Sequence, residues 1–261
     1  MSDSHLSPNA PYADANWRAI VEAIDEVSPD LVVHTGDVSL NGADDVCDLV
    51  HARDMLDRLR VPWVAIPGNH DIGDIDDEHQ PVDDLRRRCY QRVFGDASWM
   101  RQLGDWTLVG VDVQTLLSDL DGAEALWEWL GGVLQTKAPT ALFTHRPLRP
   151  WRVDDADDPR RYVTEPNRSR LFSLMSAGNV RLVASGHVHQ WRHVVDTVNH
   201  VWAPSTWATL PDRIQPVIGV KTVGMVGHDL GDHGSVSSTL LQPAGVLLVT
   251  VGDDFDSPYT H

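Results

Sequence analysis

The sequence predicts an α/β fold with parallel neighbouring strands, and three observations carry that reading. Short apolar runs stop abruptly at turns that contain Gly or Pro. Segments with an apolar face at helical spacing lie between them, giving a β-α-β rhythm. Histidines, aspartates and one asparagine gather where the apolar runs meet the turns. Strand ends of this kind form the rim at which α/β proteins bind ligands.

Taken in order, Asn16 to Val27 places Trp17, Ile20, Val21, Ile24 and Val27 on one helical face, and Pro29 closes it. Leu31, Val32 and Val33 read as a buried strand running into His34-Thr35-Gly36-Asp37. Asp44 to Leu59 repeats the helical pattern through Val46, Leu49, Val50, Leu56 and Leu59, with a charged opposite face. The run Val61 to Ile66 is a second buried strand, broken at Pro67-Gly68 and followed by Asn69, His70 and Asp71. Asp74 to Asp84 is an acidic loop, with a helix from Asp83 to Phe94 behind it. Trp106 to Val113 reads as a strand and Gly122 to Gln135 as a helix carrying Leu126, Trp127, Leu130 and Leu134. The strand Thr140 to Phe143 ends at Thr144-His145-Arg146-Pro147. Trp151 to Glu165, rich in Asp, Arg and Pro, is a surface loop, and Asn167 to Ala177 is helical. Val180 to Ala184 is a strand ending at Ser185-Gly186-His187-Val188-His189. Short strands follow through Val194 and Val201, and Val246 to Val251 is expected to form the last one.

With 261 residues, 42% of them hydrophobic, the chain has ample apolar material for a single domain over 1–261. Its core is expected in 1–203, with the last strand and tail in 244–261. The stretch 204–243 is Gly-rich and poorly periodic, and is expected to cap the site or build a homodimer contact. The net charge of -17, from 38 acidic and 21 basic residues, repels nucleic-acid phosphates. No apolar run is long enough to span a bilayer. Cys47 and Cys89 lack metal-type spacing and are expected as buried small residues in a reducing compartment, with one disulfide as the alternative. No signal peptide is visible, so a cytoplasmic location is expected.

The informative feature is a constellation. Asp3-x-His5, Gly36-Asp37, Gly68-Asn69-His70-Asp71, His145 and Gly186-His187-Val188-His189 all sit at the end of an apolar run or beside a turn. Parallel strands bring their C-terminal ends to one edge, so these side chains should converge. In D-x-H and H-x-H pairs, alternate residues share one side of an extended chain. Imidazole, carboxylate and an amide oxygen without thiolate suit Zn, Fe, Mn or Co. So many donors exceed one ion and suggest two, about 3.5–4 Å apart, sharing a carboxylate; phosphate esters are the substrates of that chemistry. Any one of these residues alone reads better as a tail, turn or capping residue. That reading would have to hold at all five segments at once, which decides against it.

In this order and spacing the five segments resemble the calcineurin-like metallophosphoesterase superfamily, whose pattern is D-x-H, G-D, G-N-H-[DE], H and G-H-x-H. The match runs from Asp3 to His189, and the bacterial cyclic-nucleotide and glycerophosphodiester-type phosphodiesterases are the most similar members. The resemblance implies an αββα sandwich of two mixed β-sheets flanked by helices. It also implies two transition-metal ions (Mn, Fe or Zn) per chain. Asp3, His5 and His189 would hold the first, Asn69, His145 and His187 the second, and Asp37 would bridge them. His70 would not be a ligand but would assist the leaving oxygen after attack by a metal-bridging hydroxide. Asp71 is expected to be a hydrogen-bond acceptor behind the ligands or a turn residue. Arg146 would either fork a substrate phosphate or form a surface salt bridge. His34, His51, His79, His193, His200, His228, His233 and His261 are set aside as surface or satisfied histidines.

The implied activity is hydrolysis of a small phosphodiester, with phosphomonoesterase or nucleotidase activity as the alternative. A non-catalytic scaffold, as in the retromer subunit of this superfamily, is disfavoured because every ligand position is filled. Val38 to Gly42 after Gly36-Asp37 lacks the D-R-G ending of protein Ser/Thr phosphatases. The strand that normally precedes D-x-H has no counterpart before Asp3, so the true start is expected upstream. If the sheet is built without that strand, Asp3 and His5 should be poorly anchored and the first metal weak.

Overall fold

The computed structural model describes residues 1–10, 13–75, 77–151 and 155–252. Its first half alternates helix and strand: α1 (Asp14–Val27), β1 (Val32–His34), α2 (Val46–Leu56), β2 (Trp63–Ala65), the single turn α3 (Asn69–Ile72) and α4 (Asp84–Phe94). The caps follow from local chemistry. Asp45 accepts from the Cys47 N–H ahead of α2, and Asp83 accepts from Leu85 and Arg86 ahead of α4. The chain continues as β3 (Trp99–Leu103), β4 (Trp106–Gly110), the short α5 (Val113–Leu116), α6 (Gly122–Leu134), β5 (Thr140–Phe143), α7 (Asn167–Ala177) and β6 (Val180–Ser185). It ends in β7 (Gln190–Val195), β8 (Asn199–Trp202), β9 (Val220–Lys221), β10 (Met225–Leu230) and β11 (Val236–Leu241).

A mixed seven-stranded sheet in the order β3-β4-β5-β6-β8-β7-β9 is the largest element, with β4, β5, β6 and β8 parallel. The second layer is stitched rather than continuous. β1 pairs with β2 in parallel, and residues 1–6 run beside β1 through bonds such as Asp3 N–H to Gly36 O and His5 N–H to Asp37 O. Thr206 N–H then reaches Ser2 O, Gly224 N–H reaches Ser205 O, and the β10-β11 hairpin completes the layer. Val64, Ile66, Trp106, Phe143 and Leu182 fill the space between the two layers. Outside the large sheet, Trp127 and Leu130 of α6 and Leu171 and Met175 of α7 pack on Val109, Leu142 and Val183. Outside the second layer, Trp17, Ile20 and Ile24 of α1 pack with Met55 and Leu56 of α2. Four layers, αββα, result.

Several expectations change. β3 was unforeseen because Met100, Arg101 and Gln102 are exposed on an edge strand, where only Trp99 is buried. The strand expected from Trp106 to Val113 stops at Gly110, where Asp112 turns the chain by accepting from Thr115 N–H. Within 204–243, the β10-β11 hairpin replaces much of the irregular stretch. Its tip lies on the N-terminal side of the large sheet: Trp106 Nε1 donates to Gly231 O at 3.0 Å, and Gly234 sits against Pro139 and Arg181. The hairpin tip therefore points away from the strand ends that carry the motifs, and only the preceding segment reaches them. The last strand, expected over Val246 to Val251, shrinks to a single bridge between Thr209 and Thr250. Pro211 has no N–H with which to extend that ladder. Cys47 is exposed, Cys89 is half-buried, and both are free thiols rather than buried residues. No helix among the described residues is long and apolar enough to cross a membrane.

His200 on β8 illustrates a cost of this packing. It is buried beside Trp151 and Phe172, and burial lowers its pKa to about 4. Its folded pKa lies below the unfolded value, so its contribution to stability is complete above pH ~6.5 and is lost as pH falls toward 4. Denaturant titrations at pH 7.5 and 5.0 should therefore show a smaller acid loss of stability in His200→Leu than in the parent chain, by about 2 kcal/mol. An equal loss in both would mean that His200 is not held neutral.

Candidate metal centre

All seven ligand candidates arrive at one edge. β1 delivers Gly36-Asp37 and β2 delivers Gly68-Asn69. β5 delivers His145, β6 delivers His187 and His189, and residues 1–6 lay Asp3 and His5 beside the end of β1. Asp3, His5 and His189 form one group of donor atoms within reach of a single ion. Asp37, His145 and His187 form a second, and His5, Asp37 and His70 a third that spans the two. His5 Nε2 is 3.1 Å from His189 Nε2, and His189 Nε2 is 3.5 Å from Asp3 Oδ1. His145 Nε2 lies 3.1 Å from both Asn69 Oδ1 and His187 Nδ1. Asp37 Oδ2 stands between the groups, 3.9 Å from His5 Nε2 and 3.3 Å from His145 Nε2.

The donor set fits cations. His145 Nδ1 donates to Thr35 O, His189 Nδ1 donates to Ala208 O, and His187 Nε2 donates to Arg160 O. Each imidazole thus commits one N–H to a main-chain carbonyl and turns its other nitrogen inward, the usual arrangement of metal-binding histidines. Within each group the donor atoms lie within 4.8 Å of one another, close enough to share one cation. Burial works against charge on Asp3 and Asp37. The neighbouring His189 for Asp3, and His145 and His70 for Asp37, nevertheless hold both carboxylates ionised. Burial also opposes charge on His145, but Asp37 outweighs it and lifts the imidazole to about 9, so a bound cation would displace a proton there.

The backbone is bent to achieve this. Asp3, His5, Asp37, His187 and His189 all have positive φ, between 45° and 69°. The left-handed region costs a non-glycine residue on the order of 1–3 kcal/mol and persists where surroundings enforce it. Asp3 and His5 are well anchored. Both are buried, Asp3 accepts from His187 N–H, and Ser205 Oγ donates to Asp3 O at 2.7 Å. Main-chain bonds to residues 36–38 hold the segment beside the end of β1.

The remaining candidates divide. His70 is half-buried, its N–H donates to Asp37 Oδ1 at 2.9 Å, and its Nδ1 lies 2.8 Å from Leu40 O. Its ring meets His5 edge-on at 4.6 Å. Asp71 is fully buried and accepts from Val38 N, Ser39 N, Ser39 Oγ and Gly68 N, tying two motif loops together. Burial and the charge of Asp37 raise its pKa to about 6. Arg146 is neither a surface salt bridge nor placed to fork a phosphate. It is fully buried, and its guanidinium is engaged by Gln114, Asp74 and the Pro159 carbonyl. Beside Leu40 opens an acid-lined cavity of about 450 Å³ that includes Ser7, Asn41, Asp44 and Asp48.

A model of the calcineurin-like phosphoesterase family matches residues 1–191. A probable glycerophosphodiester phosphodiesterase, GpdQ, of Arcobacter nitrofigilis is 28% identical over 176 residues; the alignment takes in 62% of this chain and 57% of that protein. Among solved structures, a dimetal phosphatase from Danio rerio superposes with a TM-score of 0.55 at 14% identity, covering 82% of this chain and 88% of the other. GAP50, described as the anchor in the inner membrane complex of Plasmodium, gives 0.65 at 12% identity, covering 95% and 85%. At these identities the structures speak to the fold alone.

Gly68 tests the geometry. A Cβ there would fall 2.2 Å from Asp37 Oδ1 and 2.7 Å from His145 Cε1. Gly68→Ala should therefore lower the metal retained per chain after dialysis, read by elemental analysis, while circular dichroism stays that of the parent. Full metal retention would show that Asp37 and His145 are not held where this geometry puts them.

Proposed function

The chain belongs to the calcineurin-like phosphoesterase family, and on that premise we propose that it hydrolyses a small phosphodiester at a dinuclear metal centre. The observation that carries this reading is the pair of donor groups joined at Asp37, with the half-buried His70 beside them. Mn, Fe or Zn bound there would supply charge neutralisation of the phosphoryl oxygens and a lowered pKa of water.

The chain's own groups supply the rest. Asp3, His5 and His189 hold one position, Asn69, His145 and His187 the other, and Asp37 faces both. The Leu40 carbonyl takes the Nδ1–H of His70, so Nε2 is the atom that hands a proton to the departing alkoxide. The neutral imidazole left behind keeps its bond to Leu40. Asp71 keeps the loops carrying Asp37 and Asn69 in register. The 28% identity to a probable glycerophosphodiester phosphodiesterase favours a diester over a monoester. The chain covers 57% of the probable GpdQ, so that protein's substrate is not carried over.

Paired chromogenic esters test this reading. Bis-p-nitrophenyl phosphate should be hydrolysed with a higher kcat/KM than p-nitrophenyl phosphate in the Mn-supplemented protein. His70→Ala should keep its metal while kcat falls about 10²- to 10⁴-fold, the usual worth of a proton-transfer group. Asn69→Ala should lose both metal and rate. A monoester preference would favour the phosphomonoesterase or nucleotidase alternative. No hydrolysis of either ester at full metal occupancy would favour a scaffold.

A further inference from the structure

His34 closes β1 and is fully buried, three residues ahead of Asp37. Its Nε2 lies 2.8 Å from the Oγ of Ser4, the residue between Asp3 and His5. Its Nδ1 receives the Gly36 N–H at 3.3 Å. Ser4 Oγ has a single proton and donates it to Val38 O at 3.1 Å. The hydroxyl must therefore accept from His34 Nε2–H, which leaves on Nδ1 the lone pair that Gly36 requires. One neutral imidazole thus joins the Asp3-Ser4-His5 segment to the Gly36-Asp37 turn.

We propose that His34 is a positioning residue for the metal centre, holding Asp3 and His5 opposite Asp37 through Ser4 and Gly36. The proposal rests on the metal-centre reading above. Two further observations bear on such a clamp. Residues 1–6 join β1 through main-chain bonds without forming a strand, with Leu6–Ser39 as their bridge among the described residues. Asp3, His5 and Asp37 all sit at positive φ, which the surroundings must enforce. An apolar residue at position 34 would fill the space but deprive the Ser4 hydroxyl of its donor and the Gly36 N–H of its acceptor.

The test is titration of Mn²⁺ into chelator-treated full-length protein, followed by calorimetry. His34→Leu removes both bonds, Ser4→Ala cuts the clamp from the other side, and His34→Gln restores a donor toward Ser4. Leu130→Ala, in the core between α6 and the large sheet, is a control for lost stability alone. The clamp predicts that His34→Leu and Ser4→Ala weaken one of the two binding steps about 10- to 100-fold, the effect of removing a partner behind metal ligands. His34→Gln should fall between these and the parent, and Leu130→Ala should bind as the parent does. Should His34→Leu fail to fold, Ser4→Ala decides. Unchanged affinity in the clamp variants, or an equal loss in Leu130→Ala, would overturn the proposal. Failure of the parent itself to bind Mn²⁺ would overturn the metal-centre reading, and the clamp with it.

Discussion

A buried Asp37 carboxylate approached by imidazoles from both sides is the constraint around which this fold is arranged. An unpaired charge out of water costs several kcal/mol, so Asp37 needs compensating positive charge close by. Parallel strands are the economical way to supply it. β1, β2, β5 and β6 end on one edge, and each contributes candidate ligands from the turn that follows. The sandwich sets the positions of those turns, and their left-handed residues aim the side chains. Strain at five candidate ligand positions is the mark of a site that the scaffold enforces.

Much of this was legible in the sequence because the strands are short, apolar and sharply ended. Asn167 to Ala177 and Thr140 to Phe143 come out with the bounds their patterns imply. The polar edge strand β3 and the hairpin β10-β11 were not legible. Their exposed positions read as loop, and pairing with the adjacent strand overrides the weak local pattern. The convergence of Asp3, His5, Asp37, Asn69, His145, His187 and His189 was legible from strand-end placement. What orients them was not, since the carbonyls of Thr35, Arg160 and Ala208 belong to the main chain and leave no mark in residue type. Nor does a left-handed Asp or His announce itself as a glycine would. Arg146 shows the opposite failure: a motif neighbour that looked like a phosphate ligand is spent on packing between Gln114 and Asp74.

The rim of the site is divided among segments of different character. Residues 158–162 reach it through the Arg160 carbonyl and residues 205–208 through Ser205 and Ala208. Leu40 reaches it through the carbonyl that holds His70. Substrate choice within the family is therefore expected to follow these loops rather than the ligand set.

The central claim is that two ions share Asp37, and electron paramagnetic resonance of the Mn²⁺-loaded protein tests it most directly. Two ions about 3.5–4 Å apart across one carboxylate should give an exchange-coupled spectrum at full loading that reverts to isolated Mn²⁺ in Asp37→Ala. A spectrum of isolated Mn²⁺ alone at full loading of the parent chain would contradict the shared-carboxylate centre.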